Sequence, residues 1–594
     1  MSGSIVKRQK GNKIYYYYHS SYRVKLDLSN KGKRKGSGKS KVITTTKYLG
    51  TAEDIYKGLT QGQEKANKIL TYLYGLPMAL YFAAKKIKLI ETINEVIPER
   101  INGISIGEYL LIAAINRVGK HHSKAKIGNW FKKTTLPEKM KIDPSKLTSE
   151  AYWKAYDAVI PQKKVYEKME EYKDRRKNRM TYEETQSYLT ENIIWRLEEG
   201  IYKNLFKAYH FTTDTLLYDT TNFYNYISGS NERCILPQTG KSKDGKHSNR
   251  QVGLLVAVES EFGFPLSHCI YQANAHDSSI FPEALTRISQ RLSEFNQGVN
   301  DYIVVFDKGN NSQKNMEKVR KISGIKGIVG SLGFNSFKHL RRIPLKNYKG
   351  GYQKWKFVEL EDEAFGEKAK VVMTYSEKEK IHELKNFNKK IVETQQKMEE
   401  LVKKSKTKNI TNLKNTIDKK LNQWKIKSSL ASKYITYELI QEQEEIIVKI
   451  RKTTNAKNKQ LEFGKRILFT YNHDLSAETI MRLYHDKHKV EDVFRNFKKG
   501  AIVDYSPLYH WTDSKIRVQC FVNVLAYLLI KLVEKEVSMS GDRLTLSTLT
   551  KLLEEIHEIV MVYSIHKVVK EISYPAELHK EIGKIFHFDQ FDGL

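Results

Sequence analysis

The sequence predicts a multidomain α/β protein in which a mixed sheet is interrupted by an inserted α+β domain and preceded by a small β unit and a helical domain. Three observations predict this fold class. The length of 594 residues corresponds to roughly three to five structural units. Between residues 211 and 335, short apolar runs and amphipathic segments follow the order β-β-β-α-β-α-β, which indicates a mixed sheet with helices packed against it. That order stops at residue 336 and resumes at residue 465.

Composition excludes several classes of protein. With 40% hydrophobic and 11% aromatic residues, the chain can bury several cores, which excludes intrinsic disorder. The three cysteines, Cys234, Cys269 and Cys520, lie far apart, which excludes a disulfide scaffold or a cysteine metal site. The longest apolar stretch, from Phe521 to Val533, is shorter than the roughly 18 residues that cross a bilayer. We therefore expect a cytoplasmic protein without a membrane partner.

The charge of the chain points to a polyanionic partner. Its 102 Lys and Arg residues against 68 Asp and Glu residues give a formal net charge of +34, which is typical of proteins that bind nucleic acid. Residues 1–50 hold 13 basic side chains and one acid, Asp27, a net of +12. Composition alone leaves a general solubility role open.

The first two segments of the chain differ in periodicity. Residues 1–50 contain the strand-like runs KIYYYYHSSYRVKLDL and KVITTTKYLG, joined by the loop SNKGKRKGSGKSK. This pattern predicts a basic, β-rich DNA-binding segment. Residues 51–210 have helical apolar spacing, and we expect a helical region that serves DNA binding or dimerisation.

The remaining segments complete the predicted organisation. Residues 211–335 are the first half of the α/β core, with strands TLLYDTT, QVGLLVAVES, PLSHCIYQ, DYIVVFDKG and IKGIVGSL. Residues 336–464 are the inserted domain, in which two heptad-like runs predict a helical hairpin. Residues 465–535 return to the core with the strand KRILFTYN and the helix LSAETIMRLYHDKHKVEDVFRNFKK. Residues 536–594 are predicted to be a helical tail.

Two acids end short buried strands, and both are candidate metal ligands. Asp219 lies in LLYDTT and Asp307 in IVVFDKGN. A carboxylate at the end of an apolar strand needs a partner, because removing it alone from water is costly. A turn or capping role is the simpler alternative for either acid alone. Together, on adjacent strands, the two acids would suit a divalent metal ion.

A stripe of polar residues on the late helix is the third candidate element. At 100° per residue, Tyr484, Lys487, Glu491, Arg495 and Lys498 fall within one narrow sector of the helix. Such a stripe can also be a solvated charged face. The stripe alone does not decide between these two interpretations.

The residues of this stripe resemble a known motif. Tyr484, Lys487, Glu491 and Lys498 keep the spacing Y-x2-R-x3-E-x6-K of DDE transposases of bacterial insertion sequences. Lysine stands at the second position, where the motif has arginine.

The two earlier acids are similar to blocks of the same family. Asp219 is followed by Thr220, as is the family's first acid. Asp307 is followed by Lys308 and Gly309, a basic residue and glycine that match the second block. The three blocks occur in the family's order.

The resemblance, which covers about residues 210–335 and 465–535, implies a ribonuclease H-like catalytic domain. In that fold the first acid lies on the first strand, the second beyond the fourth, and the third on a helix after an insertion. It implies that Asp219, Asp307 and Glu491 are the catalytic residues and hold two Mg²⁺ ions, for which Mn²⁺ can substitute.

The resemblance also implies a set of DNA contacts. Tyr484, Lys487 and Lys498 would hold phosphates near the transposon end, and Lys308 would lie close to them. Lys487 lacks the two-pronged donor geometry of arginine, so Arg495 is a candidate to share its task. Base stacking by a tryptophan of the insertion is a further expectation.

Two tryptophans of the insertion are candidates for that stacking. Trp355 lies between Lys354 and Lys356 on a strand-like segment. Trp424 continues the apolar stripe of the helical hairpin, which favours core packing. Trp355 is therefore the better candidate.

The predicted function is a DNA transposase of a prokaryotic insertion sequence, located at the nucleoid. It would bind the inverted terminal repeats of its element and join the 3′-hydroxyls to target DNA, as a homodimer in a synaptic complex. Two alternatives stay open: a ribonuclease H-like nuclease without strand transfer, and a transposase-derived DNA-binding protein that no longer performs chemistry.

Overall fold

The chain folds into two units in the computed structural model. The first unit contains residues Met1–Ala79, Asn129–Pro144 and Glu536–Leu594, and the second contains Leu80–Gly128 and Ser145–Lys535. The structure describes residues 2–11, 13–25, 40–55, 66–172, 180–188, 192–239, 249–275, 277–295, 301–405, 409–427, 431–442, 445–499, 502–503, 505, 509–541, 543–564 and 567–589.

The first unit contains two small antiparallel sheets. One has the order β1 (Ser2–Lys10), β2 (Lys13–Lys25), β3 (Ser40–Thr51), so the β-rich start of the chain is confirmed. Most of the basic loop that joins the two predicted strands lies outside the described residues. The other sheet pairs β4 (Lys68–Leu73) with β18 (His557–Ser564), and β18 with β19 (Lys567–Ser573).

That second sheet differs from two expectations. Residues 68–73 were expected to be helical, and the tail was expected to be helical throughout. The sequence HEIVMVYS is rich in β-branched residues and alternates in burial, so it favours a strand. The segment KILTYL then completes the sheet by pairing with it, because tertiary pairing overrides weak local helical preference. The tail also contains the helices α19 (Leu546–Glu554) and α20 (Glu577–Ile585).

Nine helices occupy the described residues between 75 and 209, as the helical spacing predicted. They are α1 (Gly75–Lys86), α2 (Leu89–Val96), α3 (Ile106–Asn116), α4 (Ile127–Phe131), α5 (Leu136–Met140), α6 (Ser149–Val159), α7 (Gln162–Tyr172), α8 (Tyr182–Tyr188) and α9 (Asn192–Tyr209). The short strands β5 (Arg100–Ile101) and β6 (Ile104–Ser105) precede α3. Ser105 and Glu108 form a reciprocal capping box that starts α3.

A nine-stranded mixed sheet is the centre of the second unit. Its order is β10-β9-β7-β11-β12-β17-β14-β13, with β8 paired to β9. The strands are β7 (Thr215–Tyr224), β8 (Gln238–Thr239), β9 (Arg250–Glu259), β10 (Pro265–Gln272), β11 (Tyr302–Val305), β12 (Ile325–Leu332), β13 (Lys356–Ala364), β14 (Glu367–Tyr375) and β17 (Lys465–Thr470). β11 runs parallel to β7 and β12, and the other pairs are antiparallel. The predicted mixed α/β architecture is confirmed.

The helices of the core and of the insertion follow the predicted order. The core helices are α10 (Asp277–Phe295), α11 (Gln313–Val319), α16 (Ala477–Asp486), α17 (His488–Lys499) and α18 (Asp513–Met539). The insertion contains α12 (Glu377–Lys404), α13 (Ile410–Lys427), α14 (Ala431–Tyr434) and α15 (Thr454–Gln460), with the hairpin β15 (Ile435–Glu442) and β16 (Glu445–Lys452).

The segment predicted as an insertion contributes to the core sheet. β14 pairs with β17 through six residues and with β13 through nine. The predicted helical hairpin is present as α12 and α13, and it buries Met398 and Ile417 against Ile435 and Val448. The sheet is therefore continuous from the core into the first strands of residues 336–464.

The helix α18 is long and apolar enough to cross a membrane by length and composition. In the most apolar part of this helix, 94% of the residues are buried inside the protein. Such burial is typical of a core helix of a globular protein.

A fully buried ionic cluster joins four elements of the second unit. Glu198 of α9 contacts Arg291 of α10 and Nδ1 of His268 on β10. Arg517 of α18 lies 2.7 Å from Nε2 of His268. Because a guanidinium can only donate, Nε2 is the acceptor, and Nδ1–H faces Glu198. Burial alone would raise the pKa of Glu198, but these cations outweigh it and lower the pKa to about 2.

Replacing Glu198 should destabilise the protein strongly. Glu198→Gln leaves two buried guanidinium groups without their anion, and we expect a loss of about 3–5 kcal/mol in the free energy of unfolding. Urea unfolding followed by circular dichroism measures this loss. The matched control is Glu199→Gln, which removes a partly exposed pair with Lys203 and should cost less than about 1 kcal/mol.

The same carboxylate should make stability pH-dependent in acid. Its folded pKa lies below the ordinary value of 4.5, so its contribution is complete above that value and is lost as the pH falls towards 2. The difference in stability between wild type and Glu198→Gln should therefore shrink below about pH 4.5. An equal difference at pH 6 and pH 3 would contradict this assignment.

Candidate active site

The first two candidate acids lie side by side at the end of parallel strands. In the register of β7 and β11, Leu217 is opposite Val305, and Asp219 and Asp307 each follow two residues later. Asp219 is still within β7, whereas Asp307 comes just after β11. Each carboxylate accepts a hydrogen bond of 2.8 Å from the backbone N–H of the next residue. The parallel register therefore places both acids at one edge of the buried sheet.

The third acid lies on a helix that packs against β7. The residues Val490, Val493, Phe494 and Phe497 bury one face of α17, and α17 contacts β7 and β9. Glu491 stands beside this apolar face, with its side chain half-exposed. Packing of this apolar face holds α17 against β7 and β9, and the location of Glu491 follows from its place on the helix.

The late helix is divided at Lys487, where a single helix was predicted. α16 ends at Asp486 and α17 begins at His488, with Lys487 in helical conformation between them. The N–H groups of Lys487 and Val490 bond to the carbonyls three residues earlier, at 3.3 and 3.2 Å. This tightened turn separates the two helices.

The side chain of Lys487 lies among the three acids. Its Nζ is 2.6 Å from Oε1 of Glu491 and 4.0 Å from Oδ2 of Asp219. Burial alone would lower the pKa of this lysine, but Asp219, Glu491 and then Asp307 outweigh burial and raise it. The structure therefore places this ammonium between Glu491 and Asp219, and Asp307 adds to the same electrostatic environment.

The acids surround the ammonium without packing tightly together. Among the described residues, the one group of three potential ligands with all ligand atoms within 4.8 Å of one another is His485, Asp486 and His488. That group lies at the junction of α16 and α17 and contains none of the three acids.

Tyr484 connects this site to the neighbouring strand. Its pKa is raised, first by burial and also by Asp307, and it interacts with the Ser331 hydroxyl. Ser331, on β12, donates a long hydrogen bond of 3.5 Å to Asp307. The sequence analysis missed Ser331, although a serine within the apolar strand IVGSL is a signal that could have identified it.

The other basic candidates, Lys498, Arg495 and Lys308, have different surroundings from Lys487. Nζ of Lys498 lies 6.0 Å from the ring centre of Phe223 on β7, on the strand that carries Asp219. Arg495 pairs with Asp492, a neighbour on its own helix, at 2.7 Å. Lys308 is exposed directly after Asp307.

Of the two tryptophan candidates, only Trp355 has its side chain among the described residues. The ring of Trp355 is half-buried, and the guanidinium of Arg466 lies 4.7 Å from its centre. The side chain of Trp424 lies outside the described residues. Arg466, which precedes the buried part of β17, was missed in the sequence analysis because its role depends on tertiary packing.

A groove of about 570 Å³ opens beside Asp307. Core residues form one wall, and residues of α12 and the α15 region form the other. Its lining includes Lys308, Ser331, Phe334, Asn335, Asn386, Lys390, Lys459, Lys465, Arg466 and Tyr484. Two acids of the lining have internal partners, since Glu462 pairs with Arg341 and Glu383 accepts from Gly464 N–H. The groove therefore offers cations, amides and aromatic rings next to the acids.

The donor set fits a hard divalent cation. Three carboxylates provide oxygen ligands, which Mg²⁺ and Mn²⁺ prefer. The ammonium of Lys487 is a stand-in cation beside two of them, 2.6 Å from Glu491 and 4.0 Å from Asp219. The site therefore accommodates positive charge between its acids.

Comparison with known proteins agrees with this chemistry. The chain matches the family described as the transposase DDE domain over residues 212–529, just over half of its length. A similar solved structure is the cryo-EM structure of a piggyBac transposase synaptic complex with hairpin DNA. It shows 12% sequence identity and a TM-score of 0.35, over 81% of this chain and 78% of that chain. No protein of curated function matches the sequence.

Proposed function

Since the chain belongs to the transposase DDE domain family, we propose that it binds the inverted terminal repeats of its own element, cuts at their ends and joins the 3′-hydroxyls to target DNA. Members of this family are in general metal-dependent enzymes of DNA cleavage and transfer. One observation carries the proposal: Asp219 and Glu491 lie on either side of the Lys487 ammonium, and Asp307 follows the neighbouring parallel strand at the same edge of the sheet.

The three acids are the proposed ligands of the metal. Asp219, Asp307 and Glu491 would hold two Mg²⁺ ions, or Mn²⁺ in their place. When bound, such ions activate a water or 3′-hydroxyl and stabilise the leaving oxygen at phosphorus. Apart from the two-residue strand β8, the first five core strands lie in the sheet in the order third-second-first-fourth-fifth, which supports a ribonuclease H-like core for this chemistry.

The residues around the acids would position the DNA. Tyr484 on α16 and Lys498 on α17 precede and follow Glu491 in the sequence, and both would contact phosphates next to the cut. The groove beside Asp307 has the volume and the mixed lining for one unpaired nucleotide of the transposon end. We propose that Arg466 and Lys308 hold its phosphate and that Trp355 backs the guanidinium of Arg466, instead of stacking on the base itself.

The start of the chain is the proposed element for end recognition. The sheet β1–β3 presents Tyr15, Tyr17 and Tyr48 as a cluster, with ring centres 5.4–6.1 Å apart, and Arg8 lies 5.2 Å from the ring centre of Tyr17. Tyr48 is 56% exposed. Exposed aromatic and basic side chains on a small sheet suit DNA contact. We propose that residues 51–210 add DNA and dimer contacts, because joining two ends requires two active sites in one complex.

Removing any one of the three acids should abolish cleavage and joining. Asp219→Asn, Asp307→Asn and Glu491→Gln each remove one charged ligand while preserving size, so binding to end DNA should stay within about threefold of wild type. A strand-transfer assay with end-bearing DNA and Mg²⁺ measures this. Asp214→Asn, an exposed acid just before β7, is the matched control and should remain active. Cleavage by one of the three variants would remove that residue from the site.

Tyr484 and Lys498 should affect joining more than overall DNA affinity. Tyr484→Phe removes one hydroxyl contact, and we expect strand transfer to fall about tenfold. Lys498→Ala removes one phosphate contact near the cut and should act in the same direction. Arg482→Ala changes an exposed residue on the opposite side of α16 from Tyr484 and serves as the control. An equal loss in joining and in binding of random DNA would contradict a role close to the cut.

Deleting residues 1–50 should reduce both the salt dependence and the sequence preference of DNA binding. Each phosphate contact that is lost should change the slope of log affinity against log salt by about 0.9. Lost base contacts should appear as a smaller preference for end DNA over random DNA. Circular dichroism checks that the truncated protein folds. If the folded protein keeps its slope and preference, end recognition lies in residues 51–210.

A further inference from the structure

Lys487 is the cation around which the proposed metal ligands are arranged. Its ammonium lies 2.6 Å from Glu491 and 4.0 Å from Asp219. The residue is 5% exposed, whereas the side chain of Glu491 is 52% exposed. The lysine is thus held inside the site while one of its acid partners remains open to solvent.

The charge of this ammonium bears directly on metal binding. Carboxylates at the end of a buried sheet repel one another, and a positive charge between them offsets that repulsion. A divalent cation bound by the same oxygens would lie only a few ångströms from the ammonium. At that distance two positive charges near a protein surface repel each other strongly. The ammonium and the metal ion therefore compete for one set of ligands.

We propose that Lys487 is an internal counter-cation that competes with the divalent metal ion for Asp219, Asp307 and Glu491, and that metal binding requires its ammonium to leave them. This inference rests on the proposed function, because it takes the three acids as metal ligands. Lys487 is in this sense a positioning residue. In the absence of metal it offsets the repulsion between the acids.

The choice of lysine at this position follows from the same competition. A lysine ammonium is a compact charge on a flexible stem, whereas an arginine guanidinium grips carboxylates through two parallel hydrogen bonds. Arginine would hold the acids more firmly and would be harder to displace. Released from the acids, the lysine ammonium is free to pair with a phosphate of the DNA that arrives at the site.

Direct measurement of Mn²⁺ affinity tests the competition without relying on activity. Binding of Mn²⁺ to the full-length protein without DNA is followed by the loss of the electron paramagnetic resonance signal of the free ion. Lys487→Met should bind Mn²⁺ about tenfold more tightly than wild type or better. Lys487→Gln provides the same test with a polar side chain, should the methionine variant not fold. Lys487→Arg retains the charge and should bind Mn²⁺ no more tightly than wild type.

A matched control separates this effect from a general loss of charge. Lys154 also forms a pair with a glutamate one turn away, at 2.7 Å from Glu150 on α6, and both side chains are exposed there. Lys154→Met should leave Mn²⁺ affinity unchanged. Thermal unfolding gives a second readout. Without divalent ions, Lys487→Met should have a lower melting temperature than wild type. Addition of Mn²⁺ should raise the melting temperature of Lys487→Met by more than it raises that of wild type.

The possible outcomes distinguish failure of this inference from failure of the proposed function. In one outcome, Asp219→Asn weakens Mn²⁺ binding, but Lys487→Met and Lys487→Gln bind Mn²⁺ with the affinity of wild type. This outcome would overturn the competition and leave the metal site intact. Mn²⁺ binding that is unaffected by Asp219→Asn would overturn the metal site and this inference with it. Tighter binding in Lys487→Arg as well would show that charge is not the cause.

Discussion

The repulsion between three carboxylates at the end of one buried sheet is the constraint on which the site depends. The parallel pairing of β7 and β11 leaves Asp219 and Asp307 no freedom to move apart. The apolar face of α17 then brings Glu491 to the same place. Hydrophobic packing thus assembles charges that repel one another, and the ammonium of Lys487 offsets part of that repulsion. The fold supplies proximity, and a single lysine makes that proximity tolerable.

The buried cluster around Glu198 shows the opposite solution to the same electrostatic problem. There, one carboxylate meets Arg291, His268 and, through the imidazole, Arg517, and all of these groups are buried. Each of these groups has a buried partner in another element, so the cluster joins α9, α10, β10 and α18. The site at Asp219 has an excess of acid and an open side. An enzyme that binds cations and polyanions needs an open, acid-rich site such as the one at Asp219. It also needs a closed cluster such as the one around Glu198, which holds the scaffold in place.

Sequence patterns made the acids and their helix candidates because these features are local. Asp219 and Asp307 end apolar strands and Glu491 lies on a helical stripe, and the resemblance to the Y-x2-R-x3-E-x6-K motif then selected them. The division of the late helix at Lys487 could not be predicted, since it depends on hydrogen bonds that tighten one turn. Ser331 and Arg466 act through neighbours distant in sequence. Strand pairing of β14 with β17 is likewise tertiary, and the assignment of residues 68–73 to a helix was wrong for the same reason.

The continuity of the sheet determines how the insertion can serve the site. β14 pairs with β17 and leads directly into α12, so the long helix starts from the core sheet itself. At the other end, Gly464 adopts a left-handed conformation, and a Cβ atom at this position would lie 2.5 Å from the carbonyl oxygen of Ser376. The carbonyl of Gly464 accepts a hydrogen bond of 2.8 Å from the N–H of Ser376. Entry and exit of the insertion are thereby joined next to the groove. Because Lys465 also bonds to the carbonyl of Arg341 at 2.8 Å, the groove wall is attached to the sheet at several points, and the insertion positions its lysines and amides relative to Asp307 as part of the core.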